Sequence, residues 1–116
     1  KTAVKEKLMK RKDISAVFAT DDMKAVATIQ AVKELGLKVP KDIAVIGYND
    51  FREASIVEPN LTTVKVPIYD LGKESANMLI KILNGEEIKE KKIIIPTEFI
   101  IRESCGFKLK GEKYIL

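Results

Sequence analysis

Histidine is absent from the 116 residues, and this absence removes more chemistry than any other feature of the sequence. Without an imidazole the chain cannot assemble a Ser-His-Asp or Cys-His nucleophilic arrangement by itself. Zinc sites that use histidine are excluded as well, and the one cysteine, Cys105, cannot build a thiolate cage. A single cysteine also forbids an internal disulfide, so nothing in the sequence points to an oxidising compartment. Tryptophan is missing and aromatics make up only 6%. The lysines at positions 5, 7, 10, 12, 89, 91 and 92 are therefore not interleaved with rings, as a nucleic-acid stacking platform would require. No apolar run reaches membrane-spanning length, there is no secretory signal, and neither a P-loop nor a strand-linked GxGxxG occurs. No cofactor and no metal are expected.

What remains is an ordinary globular composition, 46% apolar and 33% charged, with 21 Lys and Arg against 17 Asp and Glu. The net charge of +4 is scattered and reads as solvated surface. The chain is long enough for one compact unit. It opens directly on a helical pattern without Met, and we expect a fragment that lacks its N-terminal portion.

The pattern alternates between strand and helix. Residues 2–11 place Val4 and Leu8 on one helical face. Residues 14–19 (ISAVFA) form a short apolar run expected to be a parallel strand covered on both faces. Thr20-Asp21-Asp22 supplies N-cap chemistry for a helix over 22–35, which Gly36 ends. A second apolar strand, IAVIGY, covers 43–48, making a right-handed βαβ unit. A loop over 49–60 with a helical turn near 52–55, a strand over 61–66 and a helix from Pro67 to about Leu83 follow. Residues 93–95 and 99–101 are expected to be further β segments separated by Pro96, and the tail from Phe107 to Leu116 to dock by Phe107, Tyr114, Ile115 and Leu116.

In an open parallel sheet, ligands bind beyond the carboxyl ends of the strands. Two such ends are visible. One carries Thr20, Asp21 and Asp22; the other carries Asn49, Asp50 and Phe51. Carboxylates and an amide can exchange paired hydrogen bonds with sugar hydroxyls, and a ring can stack on a pyranose face. The same equipment would hold a nucleoside or purine. The plainer roles stay open beside these: Asp21 or Thr20 as a helix cap, Asp22 as a first-turn charge favouring the macrodipole, and Asn49-Asp50 as an ordinary turn pair.

The segments AVFATDDM (16–23) with KAVA (24–27), LGLKVPKDIAVIGYND (35–50), PNLTTV (59–64) with Pro67, Leu71-Gly72 with Ala76, and IRES (101–104) resemble, in order and spacing, the effector-binding region of LacI/GalR-family transcriptional regulators. The resemblance covers residues 12–105. It implies an α/β fold, a parallel-sheet three-layer sandwich of the periplasmic-binding-protein type (type I), here partial. Residues 1–60 would belong to the C-terminal lobe, 61–67 to an inter-lobe crossing strand, 68–92 to a helix and link of the N-terminal lobe, 93–105 to returning strands and 106–116 to a tail. It implies an effector site including Asp21, Thr20, Asn49, Asp50, Phe51 and Val66. Val66 stands where many sugar-responsive relatives carry a cleft-facing Gln, so one polar contact is missing. It also implies a homodimer through the helix over 22–35, with Met23, Ala27, Gln30 and Ala31 towards the partner. The parent protein would be a cytoplasmic repressor without membrane association. It would bind a sugar or sugar derivative here and operator DNA through a headpiece that this sequence does not contain. An extracytoplasmic sugar-binding protein of an ABC transport system shares the fold, but the LTTV block and the RES ending favour the regulator. An α/β enzyme using Asp21-Asp22 to bind a divalent cation is a further rival, which the resemblance disfavours.

Overall fold

The computed structural model of the chain describes residues 1–88 and 92–107. It contains α1 (Thr2–Lys10), β1 (Ala16–Phe18), α2 (Asp22–Glu34), β2 (Ala44–Asn49), a 3-10 turn (Arg52–Ser55), β3 (Thr62–Lys65), α3 (Ile68–Leu83) and β4 (Glu98–Ile100). The strands form one four-stranded sheet in the order β1-β2-β3-β4. β1 and β2 run parallel with Phe18 opposite Ile46, and β2 and β3 run parallel with Ile46 opposite Thr62. The chain divides into two compact units, Lys1–Lys65 with the chain from Phe99 onward, and Val66–Glu98.

The first unit is built on one buried layer. Val45 and Gly47 alternate onto the covered face of β2, as period-two side chains must. Over them lie Ala25, Ile29 and Val32 of α2, joined by Leu8, Ile43, Ala54 and Leu61. Full burial of a residue such as Ile29 or Leu61 stabilises the fold by about 1.5–3 kcal/mol. Helices α1 and α2 pack together, and Lys1 and Lys5 both reach Glu34 across their surfaces. The other face of the sheet is less covered, with Phe18 and Tyr48 meeting edge to face at 6.5 Å.

β1 departs from the expected double cover. It is an edge strand, and Phe18 is 62% exposed. Among the described residues the first unit is thus a sheet with helices on one side, two of the three layers expected.

After β3 the chain leaves the first unit between Lys65 and Val66. Thr62–Lys65 is hydrogen-bonded into the sheet and is part of the first unit. The second unit consists mainly of α3, whose apolar stripe stays open; no α3 residue is buried. The isoleucine run 93–95 is not a strand. Pro96 interrupts the pattern, and strand structure begins at Glu98, where β4 lies next to β3. Phe107 is half-buried, while docking by Tyr114, Ile115 and Leu116 lies outside the described residues.

Candidate functional site

The carboxyl ends of β1 and β2 bring Thr20, Asp21, Asn49, Asp50 and Phe51 to one edge of the first unit, as parallel pairing requires. Val66 is half-buried and belongs to the second unit, where its carbonyl accepts from the Ile68 amide at 2.8 Å.

Asp21 is the N-cap of α2. Its Oδ1 accepts from the Lys24 amide at 2.8 Å, satisfying one of the donors a helix leaves free at its start. The Lys24 ammonium lies 2.6 Å from Asp21 Oδ2 and donates to Thr20 Oγ1 at 2.9 Å. Hydrogen bonding from Lys24 holds the Asp21 carboxyl below the usual aspartate range. Asp21 is therefore ionised near neutrality and still partly open to solvent, ready to accept from a hydroxyl.

Asn49 and Asp50 both have positive φ, 108° and 61°. The left-handed region is one that asparagine and aspartate enter more readily than other side chains. Asp50 does not project freely from this turn. Its Oδ1 receives Arg102 Nη2 at 2.7 Å, and Arg102 Nη1 donates to the Leu61 carbonyl at 2.8 Å. Phe51 keeps an exposed ring, while its amide donates inward to Asp22 at 2.6 Å.

Asp22 has a role that sequence reasoning did not assign to it. It is fully buried, and its second oxygen accepts from Thr63 Oγ1 at 2.6 Å. The signal was present in the spacing: 22, 25, 29 and 32 form one helical stripe, and the other three members are core residues. The acidic pair thus diverges, Asp21 towards Lys24 and Asp22 into the protein. No group of three or more His, Cys, Asp or Glu side chains suited to a metal ion occurs among the described residues.

Of the α2 residues assigned to a partner subunit, Met23 and Gln30 are exposed and Ala27 is half-buried. Ala31 is buried within its own unit. The residues flanking β4 are also structural. Ser104 Oγ donates to the Val45 carbonyl at 2.6 Å and accepts from the Thr62 amide at 2.9 Å.

Comparison with known proteins agrees with this architecture. The sequence profile of the periplasmic binding protein-like domain matches residues 2–105. The HTH-type transcriptional regulator RegA of Clostridium saccharobutylicum is 42% identical over 96 residues, 83% of this chain and 29% of the relative. The HTH-type transcriptional regulator CelR of Thermobifida fusca is 34% identical over 102 residues, 88% of this chain and 30% of the relative. The chain therefore spans less than a third of these relatives. Among solved structures, a complex of the transcriptional regulator CelR with cellobiose superposes with a TM-score of 0.83 at 34% identity, covering 89% of this chain and 32% of that one. The lac repressor dimer bound to operator and an anti-inducer gives 0.82 at 28% identity, covering 89% and 36%. The chain belongs to the periplasmic binding protein-like domain family, within its LacI/GalR branch of transcriptional regulators.

Proposed function

We propose that this chain is the effector-binding and dimerisation part of a LacI-type DNA-binding repressor, and that its effector is a sugar or sugar derivative. The observation that carries this reading is the convergence of Thr20, Asp21 and Asn49 at the carboxyl edge of a parallel sheet, the place where open α/β folds take ligands. An ionised, half-open Asp21 and an amide on a fixed turn suit hydroxyl groups. Similar structures hold cellobiose and D-xylulofuranose, which supports the ligand class. Phe51 supplies an exposed ring for an apolar sugar face.

Regulation then requires the ligand to bind two global states unequally, since equal affinity would shift nothing. A two-fold dimer through Met23, Ala27 and Gln30 of α2 suits a palindromic operator. DNA contact belongs to a headpiece outside this sequence, and the complete protein is cytoplasmic. That the curated relatives are transcriptional regulators supports a binding role over catalysis, and a regulator over a transport receptor. The test is calorimetric titration of the complete protein with cellobiose and with D-ribose. Saturable binding that Asp21→Ala weakens at least tenfold, with the fold intact by circular dichroism, is expected. Unchanged affinity in the variant would remove Asp21 from the site, and no binding of either sugar by the parent protein would count against the ligand class.

A further inference from the structure

We propose that Asp22 is the positioning residue of the ligand-facing turn, holding Asn49 and Asp50 in a conformation they would otherwise leave. This inference rests on the effector-site reading above. Asp22 is 0% exposed and cannot touch a ligand itself. A buried carboxylate is costly unless hydrogen bonds replace its water, and here each oxygen has one: Oδ1 takes the Thr63 hydroxyl and Oδ2 the Phe51 amide. The three groups come from three places, the start of α2, strand β3 and the segment after β2. Gly47 leaves room for the carboxylate beneath them, because a Cβ there would lie 2.2 Å from Asp22 Oδ1.

The turn between these anchors is conformationally disfavoured. Two consecutive non-glycine residues carry positive φ, a state that persists only where the surroundings over-determine it. Two charged hydrogen bonds do so. Phe51 N to Asp22 fixes the C-terminal side of the turn, and Arg102 to Asp50 fixes its middle. The half-buried Asn49 is thereby set in place before a ligand arrives, and preorganisation of this kind lowers the ordering cost of binding. Removing the Asp22 anchor should weaken the ligand complex without deleting any direct contact.

Alanine at position 22 discriminates well, since it offers no acceptor where aspartate offers two. The Phe51 amide is then left without its acceptor. Thr63→Val is the matched control: it removes a bond to the same carboxylate and leaves the turn's bond in place. The measurements, on the complete protein, are hydrogen exchange of the Phe51 amide without ligand, and calorimetry with cellobiose and D-ribose. In the parent protein the Phe51 amide should exchange at least a hundredfold more slowly than an unstructured amide. Asp22→Ala should speed that exchange at least tenfold while the Val45 amide keeps its protection, and should weaken sugar binding at least tenfold. Thr63→Val should change both quantities less than threefold. An unprotected Phe51 amide in the parent protein overturns the proposal whether or not the variants fold, and so does equal loss of affinity in the two variants at equal loss of stability. Failure of the parent protein to bind either sugar would reject the sugar reading alone, because the exchange experiment reports on the anchor without a ligand.

Discussion

Replacing Gly47 by alanine should destabilise the protein, although a simple propensity argument gives the opposite sign. Gly47 lies within β2, and its φ is outside the left-handed range. Alanine in a strand interior is ordinarily favoured over glycine by about 0.5–1 kcal/mol. The added methyl would stand 2.2 Å from Asp22 Oδ1 and 2.8 Å from Leu61 Cδ2. Leu61 can turn its terminal methyl aside. Asp22 cannot move without breaking a bond to Thr63 or Phe51, since both of its oxygens are committed. Overpacking of a core costs about 1–3 kcal/mol, and loss of one hydrogen bond to a charged group about 1.5–3 kcal/mol. After subtracting the propensity gain, the net loss is about 2–5 kcal/mol. Denaturant unfolding followed by circular dichroism measures it, with an unchanged slope confirming that only the native state was affected. A double-mutant cycle with Asp22→Ala assigns the clash, because Gly47→Ala should cost at least about 1.5 kcal/mol less once the carboxylate is gone. A Gly47→Ala protein as stable as its parent, or a cycle with no coupling, would refute the geometry on which the Asp22 anchor depends.

Three other perturbations follow from the same structure. Ser104→Ala leaves the buried Thr62 amide and Val45 carbonyl without the hydroxyl that joins them, and should cost about 2–3 kcal/mol in denaturant unfolding. Arg102→Lys keeps the charge but cannot reach Asp50 and the Leu61 carbonyl together; a loss of about 1–3 kcal/mol with faster exchange at the 49–51 turn is expected. For Asp21, hydrogen bonds from Lys24 lower the folded-state pKa. Its stabilising contribution is therefore complete above the unfolded aspartate value, about 3.9, and is lost as pH falls through the lower folded value. Asp21→Asn should accordingly flatten the acid limb of a stability profile below about pH 4, and an unaltered limb would contradict the ion pair.

Much of this arrangement was legible in the sequence, and what was not has identifiable causes. The apolar run 43–48, the capping residues before α2 and Gly36 after it yielded α2 and β2 nearly to the residue, and the run 14–19 contains the shorter β1. The turn at Arg52–Ser55 also appears where expected. Those signals are local, and local propensity set the outcome. The isoleucine run 93–95 failed because strand propensity needs a neighbouring strand, and β4 instead begins after Pro96. The edge loops were found by topology, yet the division of labour within them was not. Asp21 and Asp22 are adjacent and chemically identical, and only the stripe shared with Ala25, Ile29 and Val32 marks the second as interior. Arg102 was noticed as part of a recurring ending, but its pairing with Asp50, 52 residues away, is a tertiary fact.

The stitch made by Ser104 has a consequence for synthesis. Its hydroxyl closes onto Val45 across 59 residues and onto Thr62 across 42. Arg102 likewise reaches back to Asp50. A ribosome delivers β1, α2 and β2 long before it delivers these residues, so the first unit must wait, partly formed, while the whole of the second emerges. Contacts so distant along the chain delay completion, and an incomplete sheet with an open edge is the state most exposed to mispairing. The covalent order of the segments therefore sets a period of vulnerability on the nascent chain, which ends only when residues 102–104 leave the exit tunnel.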